Sequence, residues 1–303
     1  MIKPTKHLNG FDWVETTALT EAEQQTLMAE YGITDDIITY VTDKDETANY
    51  VYDPANNQQL MIVLVPYQLK NTQMPRYITR PVGFLIHQGV LFTFNESRLN
   101  FVEQAFQKSA DDTDINTTSA FILESMFDLV DSYIPIVKFV TKQRNQLDKM
   151  LNKDAKNSNL MALSYLGQTL TFFNSGVESN NDLFARIPRT YFGVNNDSIE
   201  NDLLEDVSIE SDQVQHMIEN EEQVVNRITD TFDSIINNNL NDTMKFLTIW
   251  SLTMAVPTIV TGFFGMNVKL PLAHFNGAWL IVIGLSVGFI AWLLLIFKMH
   301  HRL

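Results

Sequence analysis

Two uncharged apolar runs dominate the hydropathy pattern near the C-terminal end of the chain: Phe246–Phe264, 19 residues, and Ala278–Phe297, 20 residues. A helix rising 1.5 Å per residue needs about 20 apolar positions to cross roughly 30 Å of hydrocarbon, so each run predicts a transmembrane helix. Upstream of the first, Val214, Ile218, Val225, Ile228, Phe232 and Ile235 recur at a spacing close to 3.5, with Glu221 interrupting the seam. No Gly or Pro stands between Ser198 and Pro257. The pattern therefore predicts one helix over Ser198–Phe264, a stalk at 198–245 that becomes the first span at 246–264. At 1.5 Å per residue its 67 positions would reach roughly 100 Å. A break at Asn237–Asn239, where helix propensity is poor, is the alternative. An apolar seam on so long a helix asks for copies of itself, which predicts a homo-oligomer around an axis.

The rest of the chain reads as α+β. Thr20 and Glu23 form a capping-box pattern, and Gly32 after Tyr31 marks the stop of one short helix. Tyr50–Tyr52, Leu60–Pro66, Val82–Ile86 and Val90–Phe94 are β-branched and aromatic runs. The last two are separated by His87, Gln88 and Gly89 as in a hairpin with a three-residue loop. Residues 1–117 are thus expected to form an α/β domain and 118–197 a helical region. Phe121, Ile122, Met126, Leu129, Val130, Tyr133 and Val137 have helical spacing, and the pattern continues to about Lys153 with a kink at Pro135. A second helix is expected over about Leu160–Asn174, with a polar break at Asp154–Asn159 before it and a loop at Glu178–Asn181.

Charge divides the chain in the same place as hydropathy does. It carries 36 acidic and 21 basic residues, a net of -15. Beyond Asp242 there is no acid, and only Lys245, Lys269, Lys298 and Arg302 are basic. Taking those four from 21 leaves 17 basic against 36 acidic residues in 1–242, a net of -19. An acidic body without runs of Lys or Arg argues against nucleic acid as a partner. With no cysteine, disulfides and thiolate metal sites are excluded. The six histidines show no HExxH, GxxxxGK[ST] and GxGxxG are absent, and GxSxG occurs only as Gly284–Gly288 inside the second apolar run and not on a recognisable catalytic scaffold, so neither an enzyme nor a nucleotide-driven machine is expected.

Topology follows from the flanks. The N-terminus has no apolar h-region of a signal peptide. Lys245 before the first span, and Lys298, His300, His301 and Arg302 after the second, mark the cytoplasmic side by the positive-inside rule. Both termini and the 298–303 tail are thus expected in the cytoplasm of a plasma-membrane protein, with only the loop 265–277 outside. Those 13 residues are too few for an external catalytic or receptor domain.

At the outer end of the first span stand Phe263, Phe264, Gly265, Met266 and Asn267. Gly-Met-Asn alone is weak evidence. Placed after an aromatic residue, at the outer end of the first of two C-terminal spans behind an acidic body and long stalk, it resembles the signature of the CorA family of divalent-cation channels. NDTMKFLTIWSLTMAVPTIVTGFFGMN, Asn241–Asn267, is similar to the family's pore helix, and FDLVDSYIPIV, Phe127–Val137, to one of its cytoplasmic helices. The resemblance runs from about residue 118 to the end and implies a funnel-like homo-oligomer, pentameric in the family. It implies a pore for Mg²⁺, with Co²⁺ and Ni²⁺ as further cargo, and Gly265 and Asn267 holding the hydrated ion at the outer mouth while Met266 packs. Such an assignment suits the ion, because Mg²⁺ surrenders its waters reluctantly and is better met by neutral oxygen acceptors than stripped by carboxylates. A helix C-cap in which Gly and Asn adopt left-handed backbone is the structural alternative for the tripeptide.

Asn241, Met244, Leu247, Ser251, Ala255, Thr258 and Gly262 recur at three or four residues and are expected to line the pore. Asn241 and Thr258 offer oxygens to a hydration shell, and Met244 and Leu247 form an apolar constriction, where the resemblance places the gate. Gly284 and Gly288 in the second span form a small-xxx-small pattern suited to close helix packing. Glu205, Asp206, Glu210 and Asp212 cluster at the start of the stalk. By resemblance, Asp206 stands where the family has a regulatory metal-site aspartate, so that cytoplasmic Mg²⁺ would close the pore. Phe264 replaces the family's usual tyrosine. The outer loop lacks an acid and carries Lys269 and His274 beside the mouth, which weakens attraction of cations. Pro257 is expected to kink or locally break the pore helix. Two alternatives stay open: a Zn²⁺-transporting member of the same superfamily, and a membrane-anchored ion sensor that no longer conducts.

Overall fold

The computed structural model describes residues 1–70, 75–153, 157–266 and 277–300. Contacts divide it into two compact units, Met1–Thr229 and Asp230–Leu303.

In the first unit a six-stranded mixed sheet is the organising element. Its strands are β1 (Lys6–His7), β2 (Asp12–Thr16), β3 (Asn49–Asp53), β4 (Gln58–Gln68), β5 (Tyr77–His87) and β6 (Val90–Phe94), in the order β1-β2-β6-β5-β4-β3. Only β2 and β6 run parallel, with Val14 opposite Phe92; the other neighbours are antiparallel. The β5–β6 hairpin pairs His87 with Val90, so its loop has two residues. Gln88 and Gly89 both have positive φ, 50° and 80°, as a type I′ turn requires, and the expected three-residue loop is corrected accordingly.

Helices cover both faces. On one lie α1 (Glu21–Tyr31) and α2 (Asp35–Thr42), which bury Leu27, Ile37, Ile38 and Val41 against Val14, Leu60, Ile62, Leu85 and Phe92. The capping box at Thr20 is present in full, and Gly32 ends α1 with φ 70°. On the other face an aromatic cluster, Trp13, Phe84, Phe106 and Phe121, joins the sheet to α3 (Asn100–Asp111) and α4 (Thr118–Asp131).

The helical region differs from expectation in two places. Instead of one kinked helix, α4 ends at Asp131 and α5 runs over Tyr133–Lys153. Pro135 thus falls in the first turn of α5, where its missing N–H leaves no bond unmade, and the carbonyl its ring would strike belongs to Asp131, the last residue of α4. The second difference is α6, which spans Asn157–Arg186 without interruption, so Glu178–Asn181 is helix and not loop. Those polar residues have work inside the fold. Strand β3 pairs with β4 only from Gln58 to Ile62, which leaves the edge of β4 open beyond it. There the Asn180 carbonyl accepts from the Leu64 N–H at 2.8 Å and the Asn180 amide donates to the Leu64 carbonyl at 2.9 Å. Tyr133 donates to the same carbonyl at 3.0 Å. Both side chains are buried. Gly176 lets α6 come this close: a Cβ there would lie 2.6 Å from Thr79 Cγ2. After a 3-10 turn at Ile187–Arg189 and a short α7 (Tyr191–Val194), the chain enters α8.

Helix α8 is a single element of 67 residues, Ser198–Phe264, with no break at Asn237–Asn239 and with Pro257 inside it. Its apolar seam is read differently by the structure than by the sequence. Leu204, Val207, Val214, Ile218 and Val225 are already buried within the single chain, Val225 beside Gly167 of α6. Glu221, the interruption in the seam, accepts from Arg144 of α5 at 3.0 and 3.2 Å. Thr171 of α6 donates to Glu222, and Asn181 to Asp212. The seam over this stretch is satisfied by the chain's own hairpin, so it is no argument for an oligomer.

The second unit holds the remainder of α8 and α9 (Ala278–His300). Each contains a stretch long and apolar enough to cross a membrane, with mean hydropathy 1.5 in α8 and 2.8 in α9.

Candidate functional site: the outer end of the first span and an acidic corner

The expected pore stripe lies on an unbroken helix. Asn241, Met244, Leu247, Ser251, Thr258 and Gly262 are exposed in the single chain and Ala255 is half-buried. The Thr258 hydroxyl donates to the Met254 carbonyl at 3.1 Å. Its proton is therefore committed to the backbone, while its lone pairs stay open to accept from a water. Thr248 and Thr261 bond back four residues in the same way, which gives each hydroxyl proton a partner in an apolar environment at the small cost that such back-bonding brings to a helix.

The helix ends at Phe264, and Gly265 forms the turn, its N–H donating to the Thr261 carbonyl at 2.9 Å. Gly265 is not among the glycines with positive φ, so left-handed capping is not its role. Space is the tighter constraint: a Cβ would sit 3.2 Å from the Thr261 carbonyl oxygen. Met266 is exposed, and Phe264 is half-buried with its ring edge-on to Phe263. Asn267, Lys269 and His274 lie outside the described residues.

In the first unit the four acids proposed from sequence do not come together. Asp212 is held by Asn181 at 3.1 Å and Glu205 is exposed. Asp206 instead lines a cavity of about 150 Å³ with Leu203 of its own helix and Leu123, Glu124 and Phe127 of α4. Burial raises the proton affinity of Glu124, and Asp128, Asp112 and Asp206 raise it further against the opposing pull of Lys108. Glu210 is likewise pushed up, by burial and then by Asp131. Lys108 of α3 bonds Asp128 at 2.7 Å, which raises its own pKa. Glu124, Asp128 and Asp131 are the residues missed from sequence. Their spacing of four and three on α4 was the available signal, since it places three acids on one helix face. Among the described residues no three His, Asp or Glu side chains converge on a point able to hold a metal ion.

A sequence model described as CorA-like Mg²⁺ transporter protein matches residues 9–299, nearly the whole chain. The protein belongs to this CorA-like family. Among curated proteins, the cobalt/magnesium transport protein CorA of Methanocaldococcus jannaschii is 26% identical over 157 residues, 51% of this chain and 49% of that protein. The alignment thus spans about half the length of that relative. The complete structure of the CorA magnesium transporter from the same organism superposes with a TM-score of 0.80 at 21% identity, covering 95% of this chain and 90% of that one. The cytoplasmic domain of ZntB from Vibrio parahaemolyticus gives a TM-score of 0.58 at 8% identity, covering 78% and 90%. At these identities the structures establish the CorA fold and nothing finer.

Proposed function

We propose that the protein is a homo-oligomeric, pentameric channel of the cytoplasmic membrane that conducts hydrated Mg²⁺ passively inward. It uses no nucleotide and catalyses no reaction, and its large acidic unit and both termini are cytoplasmic. The observation that carries this reading is a chain matched over residues 9–299 by the CorA-like family, in which an unbroken helix with an apolar span ends at Phe264, immediately before Gly265, Met266 and Asn267 in the sequence. Repeated around an axis, Gly265 and Asn267 would ring the outer mouth with neutral oxygens. Asn241 and Thr258 would offer acceptors to the ion's waters below it, and Met244 and Leu247 would form the dewetting constriction. The electrical drive is sufficient, since a divalent ion gains about 4.6 kcal/mol per 100 mV.

Regulation by cytoplasmic Mg²⁺ is assigned to the corner of Asp206 and Glu124. Two carboxylates at one small cavity, one of them disfavoured in its charged form by burial and then by neighbouring acids, suit a hard cation that keeps most of its water. The chain's own set is too small to strip the ion. It is suited to screening repulsion, which would hold stalks together when the ion is plentiful and let them part when it is scarce.

Flux into proteoliposomes tests the pore. Asn267→Ala should lower Mg²⁺ uptake at least tenfold while the oligomer survives in detergent; unchanged uptake removes Asn267 from the mouth. Zn²⁺ or Co²⁺ flux exceeding that of Mg²⁺ would reassign the cargo, and no flux of any divalent ion would leave a sensor.

A further inference from the structure

Helices α4 and α8 begin at one shared cap. Asp197 and Glu200 close a capping box on α8: the Asp197 carboxylate accepts from the Glu200 N–H at 2.9 Å, and one Glu200 oxygen accepts from the Asp197 N–H at 3.0 Å. The second Glu200 oxygen reaches another helix. It accepts from the Thr117 hydroxyl at 2.6 Å, and the same hydroxyl oxygen caps α4 by accepting from the Ala120 N–H at 3.0 Å. Glu200 is only 6% exposed. A carboxylate so buried is costly without partners, and here both oxygens are met by donors at the positive ends of two helices. Helix α4 is in turn fixed to the sheet. Phe121 is fully buried in the aromatic cluster with Trp13 and Phe106, and a Cβ at Gly10, just before β2, would collide with the carbonyl of Asn116, the neighbour of Thr117.

From that cap the two helices run in the same direction to the corner. Glu124 stands seven residues beyond Thr117 and Asp206 six beyond Glu200, heights of about 10.5 and 9 Å at 1.5 Å per residue, and both line the one cavity. We infer that Glu200 is a positioning residue for this corner: by tying α8 to α4 at Thr117 it sets the register that places Asp206 at the height of Glu124. The inference rests on the assignment of the corner to Mg²⁺ above. At the corner itself the two carboxylates repel, so they do not draw the helices into register. Apolar contacts along the seam hold α8 to the body but are non-directional, whereas a hydrogen bond fixes position along the axis. A slide of half a turn, about 2.7 Å, breaks the bond to Thr117 and carries Asp206 the same distance past Glu124. With the cap intact the acids are aligned before the ion arrives, and none of its binding energy is used to align them.

Positioning is separated from plain helix capping by the Mg²⁺ concentration that half-protects the full chain, in lipid nanodiscs, from a protease. Asp206→Asn, which removes a carboxylate from the corner, sets the scale and should raise that midpoint at least fivefold. Glu200→Ala and Thr117→Val should raise it by a similar factor, and Thr117→Ser should stay within twofold of the parent. Asp197→Ala, which loses the α8 cap but keeps the link to Thr117, should lower the Tm and leave the midpoint within twofold. No protection by Mg²⁺ in the parent, or no shift in Asp206→Asn, overturns the corner assignment and this inference with it. A shift in Asp206→Asn with none in Glu200→Ala or Thr117→Val overturns the inference and leaves the corner standing. An equal shift in Asp197→Ala overturns it too, because capping alone then accounts for the effect. A second measure needs no ion and uses the absence of cysteine from the chain. In chelator, Glu124→Cys with Asp206→Cys should be joined within one chain by the shortest bis-methanethiosulfonate linker, identified by peptide mass, and adding Glu200→Ala should slow the reaction at least fivefold. No joining with Glu200 in place, or an unchanged rate without it, overturns the register.

Discussion

Replacing Asn180 by Leu tests how the sheet edge is closed. The substitution keeps the branched outline of the side chain, with somewhat more bulk, and removes both hydrogen bonds to Leu64. The Leu64 carbonyl retains Tyr133, but its N–H loses the partner that stood in for the missing strand. One orphaned buried donor costs about 1–3 kcal/mol, so Asn180→Leu should destabilise the first unit by about 2 kcal/mol. For a unit of this size that corresponds to a fall in Tm of roughly 4–8 °C. Tyr133→Phe removes only one of two donors to the carbonyl and should cost about 1 kcal/mol. The double variant strands the carbonyl as well, so its loss should exceed the sum of the singles by about 1 kcal/mol. Thermal unfolding of the full chain in detergent, followed by circular dichroism, measures all four proteins. A Tm for Asn180→Leu within 2 °C of the parent would refute the edge-closing role; strictly additive losses would refute the shared carbonyl.

Three further expectations concern charged groups. Glu124 has a raised pKa in the fold, so its folded form favours the proton: stability is full below the unfolded value near 4.5 and declines as pH rises through the folded one. Glu124→Gln should therefore raise the Tm at pH 7 but not at pH 4, and should blunt stabilisation by Mg²⁺; a lowered Tm at pH 7 would contradict this. Glu23 is held at about 2 chiefly by the backbone N–H of Thr20, so its contribution is present above 4.5 and lost as pH falls toward 2. Acid unfolding of Glu23→Gln should accordingly show a shallower pH dependence across that window. Arg144 and Glu221 are both largely buried, at 15% exposure each. Arg144→Met leaves a carboxylate unpaired and should cost about 3 kcal/mol, whereas Arg144→Met with Glu221→Leu should recover most of it; equal losses in both variants would show that packing, not pairing, holds the helices together.

The elements legible in the sequence were those whose signals are local. The capping box and Gly32 located α1, the β-branched runs located the four strands from β3 to β6, and an unbroken polar and apolar rhythm gave α8 its full length. Elements that depend on distant partners were not legible. Strand β2 is the short run DWVET, whose pattern means little until β6 lies beside it. Glu178–Asn181 looks like a loop because nothing local says that Asn180 faces a strand end 116 residues away. The seam of α8 is visible as a pattern, but its partner is not: the same 3.5 spacing suits a second copy or the α5–α6 hairpin, and the structure chooses the hairpin. The site shows the same division. Asp206 is singled out in the sequence only by resemblance, and nothing local ties it to Glu124, because the two meet at one cavity only where α4 packs beside α8.

The most direct test of the channel is Mg²⁺ accumulation in proteoliposomes carrying the full chain under an imposed inside-negative potential. With 100 mV across the membrane, passive conduction should carry Mg²⁺ toward an inside-to-outside ratio of roughly 2,000, and the initial rate should fall when the potential is collapsed. Uptake that ignores the potential and instead follows a proton gradient, or no uptake at all, would contradict the account.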